Sequence, residues 1–181
     1  IEESDVAEVS KIIFLGNEVF SSSTLKSKMK TKEKTLLRFL SSADRYDPDK
    51  LEYDKQLITE FYNDNGYPDF NFTTSIAQLS LNSNDFEIIM TVNEGKKFNF
   101  GNVSVSSELK KLNPDKIKNA LPFSSGNVYN ASTIKESIQD IKSLAELNGY
   151  SFIKIEPVLK KDELNNQIDV ELVLDEGPRV Y

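Results

Sequence analysis

The chain has neither cysteine nor histidine in 181 residues. Without thiols or imidazoles it cannot use Ser-His-Asp or Cys-His catalysis, hold zinc through His or Cys, or be stapled by disulfides. The absence of cysteine leaves the compartment open, although a thiol-free chain is comfortable in an oxidising one. No apolar run approaches the roughly 20 residues that cross a bilayer as a helix. Positive charge is also scarce. The net charge is −7, with 12 basic and 17 acidic side chains in residues 1–97 and 10 and 12 in residues 98–181. Neither half carries the basic excess that phosphate neutralisation needs, so no nucleic-acid partner is expected. The single basic cluster, Lys26, Lys28, Lys30, Lys32 and Lys34, reads as a solvated helix end and loop. The first residues, "IEESDVAEVS", are acidic and lack the basic start and apolar stretch of a signal peptide. With no initiator Met and an abrupt end at Tyr181, the sequence is expected to be a piece of a longer protein.

What is present is a repeat. Hydrophobic residues at 38% and charged residues at 28% suit a folded globular chain of one ordinary domain or two small ones. "FYNDNGYPDFNF" (61–72) and "LAELNGYSFIKI" (144–155) each end a helical pattern on Gly-Tyr and then alternate. At an offset of 83, Tyr46, Asp47, Leu51, Ile58 and Phe61 fall on Tyr129, Asn130, Ile134, Ile141 and Leu144. Asp47 and Asn130 are good N-caps, because their side-chain oxygens accept from free N–H groups of a first helical turn. Pro48 suits N1, where its missing donor costs nothing. Tyr46 with Leu51 and Tyr129 with Ile134 hold the positions of a hydrophobic staple. The spacing predicts helices over 48–65 and 131–148, with apolar stripes Leu51, Ile58, Phe61, Tyr62 and Ile134, Ile138, Ile141, Ala145. Gly66 and Gly149 then sit where a left-handed residue closes a helix.

Each copy continues as a hairpin. "FEIIMTVNEG" (86–95) and "IDVELVLDEG" (168–177) alternate with period two, placing Glu87, Thr91, Asp169 and Glu171 on a face expected to be wet. In the strand before them, Ile76 and Leu79 break the parity set by Phe70 and Phe72, which predicts a bulge. In the second copy Pro157 interrupts "FIKIEPVL". Proline cannot donate to a neighbour and belongs at a sheet edge. The strand after Gly-Tyr is therefore expected to be an exposed edge in both copies. Strands "KIIFLGN" (11–17) and "NVSVSS" (102–107) open the units, followed by short helices capped near Ser21–Ser23 and Asn113. The first copy carries about eight extra residues within "TKEKTLLRFLSSADR", where Leu36, Leu37, Phe39 and Leu40 form an apolar patch for the core or for a partner. The order is β-α-α-β-β twice. Right-handed connection puts the last strand of each unit in the middle of a three-stranded mixed sheet, with two helices on one face. The fold class is α+β, divided at 8–97 and 98–181.

This pattern resembles the POTRA (polypeptide-transport-associated) family over essentially the whole chain beyond about residue 8. The residues that carry the resemblance are "GNEVFSSSTL", "YDPDKLEYDKQLITEFYNDNGYPDF" and "VNEGKKFNFGNVSV", with "GNVYN", "NGYSF" and "DEGPRVY" in the second copy. Within the family it is most similar to the third and fourth POTRA units of BamA-type outer-membrane protein assembly factors. Ser107-Glu108 departs from the Gly-Asn usual after the first strand. The resemblance implies a non-enzymatic module at the periplasmic face of the outer membrane, without cofactor or metal. The implied partners are unfolded outer-membrane β-barrel precursors, accessory lipoproteins, neighbouring POTRA domains and a C-terminal β-barrel. The alternatives are a related secretion or autotransporter-assembly transporter, or a purely structural spacer or scaffold.

An exposed edge strand can accept another strand through its unpaired backbone groups. The candidate client-binding residues are accordingly Phe70, Asn71, Phe72, Thr73, Thr74 and Ser75, with Phe152, Ile153, Lys154 and Ile155 in the second copy. Glu94, Gly95, Lys96, Lys97 and Phe98 are the candidate interdomain hinge. The acidic stretch "DRYDPDKLEYD" lacks the Gly at position 6 and the acid at position 12 of an EF-hand loop, counted from Asp44 or Asp47. Helix capping explains it better.

Overall fold

A computed structural model describes residues 7–35, 45–81, 83, 85–150 and 152–176. The apolar patch Leu36–Leu40 and the closing residues 177–181 lie outside the described residues. The chain forms two compact units. Asn63–Pro68 groups with the second unit, together with the chain from Lys96 onward, and Asp69–Gly95 returns to the first.

The first unit runs β1 (Val9–Leu15), α1 (Ser22–Lys28), α2 (Pro48–Asp64), β2 (Asn71–Leu79) and β3 (Phe86–Asn93). The second runs β4 (Asn99–Ser107), α3 (Pro114–Ala120), α4 (Ala131–Leu147), β5 (Ile153–Asp162) and β6 (Gln167–Glu176). This is the expected α+β fold, with sheet orders β1-β3-β2 and β4-β6-β5. In each sheet the first strand runs parallel to the central one and the hairpin strand antiparallel.

Capping follows the sequence. Ser21, Asn113 and Asn130 accept from amides of the helices they open, and Asp47 accepts from the Asp49 and Lys50 amides. Gly66 and Gly149 take φ values of +95° and +87° where α2 and α4 finish. The predicted helix ends lie one residue too far in each case. β4 starts three residues before its predicted position, because a register shift between Phe100 and Val103 interrupts the alternation by which a strand is read.

The cores lie under the central strands. Ile88, Met90 and Val92 on β3, and Ile168, Val170, Leu172 and Leu174 on β6, are all buried. Each such side chain stabilises its unit by about 1.5–3 kcal/mol. The wet face of the first sheet holds a surprise for the alternation argument. Ile13, Ile89 and Ile76 align across all three strands on that face, so it is polar only to either side of an isoleucine row. The α2 stripe also includes a carboxylate, since Asp54 is fully buried between Leu51 and Ile58.

Candidate functional site

A three-stranded sheet has two outer edges, and the chain treats them differently. The outer edge of β1 is covered by residues 31–35. Lys34 donates its amide to the Val9 carbonyl (2.8 Å), and Glu33 Oε1 accepts from the Ile12 amide (2.8 Å). Asp54 starts this cover, because its two oxygens accept the Lys30 and Thr31 amides and turn the chain after α1 back along β1. A buried carboxylate left without such donors would be costly, so these bonds explain why it is tolerated in the stripe. Partial burial pushes the Glu33 carboxyl up, but the bonds from Lys26 and Ile12 outweigh it and hold the group below its ordinary value. On β4, residues 126–129 cover the first part of the edge. Gly126 donates to the Phe100 carbonyl, Phe100 to Asn127, and Tyr129 to Phe98.

The opposite edges, β2 and β5, carry no comparable cover among the described residues. β2 is exposed along almost its whole length. Of its sequence-predicted residues, Phe70 lies just before the strand, and its ring is core. It is 5% exposed and stacks on Tyr62 at 3.9 Å between centroids. Phe72 is half-buried, edge-on to Phe70 and beneath the Lys55 ammonium. Asn71, Thr73, Thr74 and Ser75 are exposed. The predicted bulge falls at Thr73, where the register with β3 shifts between Phe72 and Thr74. Beyond it Leu79 joins the helix-side face and Ile76 the open one, which accounts for their broken parity. Phe70 and Phe72 thus pin the start of the strand, leaving Asn71 and the residues from Thr73 to Leu79 as available backbone.

β5 is longer than the predicted site, reaching Asp162. Phe152 lies just before it and is 66% exposed, Ile155 is buried against the core, and Lys154 pairs with Glu156 at 2.5 Å. Pairing with β6 continues through Pro157, so the missing N–H falls on the outer side and interrupts that edge once. Both edge strands run on past the candidate binding residues, through 76–79 and 158–162, where Ile76, Leu79, Val158 and Leu159 are exposed.

The five candidate hinge residues are not alike. Glu94 is 9% exposed, and its carboxylate accepts from the amides of Glu18 and Val19 and from the Tyr62 hydroxyl (2.6 Å). This ties the end of β3 to the β1–α1 turn and to α2 within the first unit. Gly95 has φ +70°, and a Cβ there would meet Asp69 Cβ at 2.9 Å. Lys96 and Lys97 are exposed. Phe98 is fully buried in the core of the second unit.

No group of His, Cys, Asp and Glu side chains suited to a metal occurs among the described residues. No helix there is long and apolar enough to cross a membrane, which leaves β-barrels unaddressed.

Comparison with known proteins places this geometry. The family model for POTRA, the surface antigen variable number repeat, matches residues 7–95 and again 98–177. The outer membrane protein assembly factor BamA of Neorickettsia risticii is 28% identical over 170 residues, covering 94% of this chain and 23% of that protein. The Neisseria meningitidis BamA is 24% identical over 181 residues, again covering 23% of its length. The chain therefore spans under a quarter of these relatives. Among solved structures, the POTRA3–5 segment of Haemophilus influenzae BamA superposes with a TM-score of 0.75 at 24% identity, covering 96% of this chain and 67% of that one. With two matches in tandem and the β-α-α-β-β order in both units, the chain belongs to the POTRA family.

Proposed function

We propose that the chain is the periplasmic POTRA region of an outer-membrane protein assembly factor. It holds unfolded β-barrel precursors weakly, by strand addition to β2 and β5, while they fold and insert. The observation that carries this reading is the asymmetry of the sheet edges. The first unit covers its first strand with its own chain, the second covers the start of its first strand, and both leave the hairpin strand open. A barrel precursor is a series of alternating segments, and backbone pairing accepts such segments without regard to sequence. Four or five bonds at about 1 kcal/mol each would give a Kd on the order of 1 mM, and ordering the client weakens it further. That affinity suits passing a client on and does not suit storing it.

In this proposal Gly95, Lys96 and Lys97 are the adjustable joint, since Glu94 and Phe98 are each tied into one unit. Docking of accessory lipoproteins, a neighbouring POTRA domain and a following barrel complete the reading through the family relationship. The test is an NMR titration of the isotopically labelled chain with a peptide copied from a barrel strand. A second peptide, N-methylated at every residue, has no backbone N–H to donate on either edge. Progressive shifts at the amides from Asn71 to Leu79 and from Ile153 to Glu156, with the first peptide only, are expected. Equal shifts with both peptides, or none at millimolar peptide, overturn strand addition at these edges.

A further inference from the structure

The outer edge of β4 is covered at its start and lacks backbone partners at its end, where Ser104 to Ser107 are half-buried. Cover by residues 126–129 stops at Phe100, and Asn102 then turns its amide to Asp169 Oδ1 on β6 (2.6 Å). From Val103 to Ser107 the parallel pairing with β6 is regular, and Glu108 continues it by donating to the Leu174 carbonyl. In a parallel ladder successive residues direct their backbone groups to opposite neighbours. Glu108 points toward β6, so Ser106 and Ser104 do too, while Val103, Val105 and Ser107 turn outward. No backbone bond meets those three residues on the outer side among the described residues.

At Val103 the edge borders a groove of about 480 Å³, lined also by Asn102, Lys118, Leu121, Phe123 and Ser124; Val105 and Ser107 do not line it. Lys118 is its one charged wall residue, exposed and without an ion pair among the described residues, and no carboxylate lines the groove. A strand added to this edge would direct alternate side chains toward the groove, on the side where Val103 packs. We propose that residues 103–107 accept an extended segment of another protein in which carboxylate residues alternate with apolar ones, an acid meeting Lys118. A second copy of this chain is a poor source of that segment. Its open β2 strand, "NFTTSIAQL", has no acid, and in β5, "IKIEPVLKKD", the three lysines Lys154, Lys160 and Lys161 outnumber Glu156 and Asp162. This edge selects by charge, unlike β2 and β5 as proposed above, and the inference does not rest on that reading.

The test uses the labelled full chain and two blocked peptides, one alternating valine with glutamate and one valine with lysine. At low salt the glutamate peptide is expected to shift the amides of Val103, Val105 and Ser107 together with Lys118. It should bind up to about fivefold more tightly than the lysine peptide, the scale of one exposed ion pair. Lys118→Glu, a surface change that leaves the core intact, should invert the preference. Val105→Pro should abolish the response by removing an outward donor. Shifts confined to β2 and β5 would overturn the inference while sustaining the function proposed above. An equal response to both peptides would overturn the charge selection. Shifts at residues 103–107 on concentrating the chain alone would assign the edge to a second copy.

Discussion

Single carboxylates fix much of the geometry. Asp54 turns the chain after α1 over the β1 edge, and Glu94 gathers two amides and a tyrosine hydroxyl at the end of β3. Neither role could be read from the sequence, because an acid in a helix or at a strand end is most often solvated. The one available signal was position 54 itself, where the α2 periodicity expects an apolar residue and supplies an aspartate. Asp85 is a third case. It accepts from the Lys34 ammonium, and that bond holds its carboxyl below the ordinary value of 3.8 while the lysine is raised above 10.5. A depressed carboxyl stabilises the fold above its unfolded value, and the contribution is lost as pH falls through the lower folded value. The raised lysine sets the other limit, since its contribution is complete below 10.5 and lost as pH rises through the higher folded value. Asp85→Asn should therefore lower the urea midpoint by a constant amount across neutral pH. The gap should close below 3.8, and it should also narrow above 10.5. Equilibrium unfolding of both chains from pH 2 to pH 11 checks this. A gap that persists in acid would mean that the pair does not depend on charge.

At the scale of elements, helices and hairpins were readable because capping, staple and parity are local. The edges β2 and β5 were readable for a different reason. Pro157 and the parity break around Thr73 are devices that only an edge tolerates. What could not be read was close approach between distant backbones. Gly16 and Gly149 look equivalent in sequence, each closing an element in the left-handed region, at φ +84° and +87°. A Cβ on Gly149 would find only the flexible Lys111 ammonium at 3.6 Å, whereas one on Gly16 would lie 2.5 Å from the Val92 carbonyl oxygen. Gly149→Ala should cost about 1–2 kcal/mol, the left-handed penalty alone. Gly16→Ala should cost about 1–3 kcal/mol more, because β3 backbone has to move. Urea unfolding of the two variants measures the difference, and equal costs would show that the β1–α1 turn yields freely.

At the scale of the whole molecule, the pattern of covered and open edges decides whether the chain meets clients or meets itself. The open edges β2 and β5 are each spoiled for self-pairing. β2 carries its bulge, β5 carries a proline and three lysines, and the net charge of −7 keeps copies apart. β1 has such devices only at its start, a register shift between Val9 and Lys11 and the lysine itself. Its sequence "VSKIIFL" is a strongly apolar strand, and its protection is the cover laid along it by Glu33 and Lys34. Removing that cover should therefore convert a client-accepting module into a self-associating one. In the double variant Glu33→Ala with Lys34→Pro, the Ile12 amide loses its acceptor and the Val9 carbonyl its donor, while the buried core residues are untouched. Sedimentation velocity over a concentration series should show association at concentrations where the parent chain sediments as a smaller species. Adding a barrel-strand peptide should compete with that association only if the new contact is strand pairing. If the variant behaves like the parent, β1 is protected by something other than its cover, and the contrast between covered and open edges loses its force as the argument for client binding.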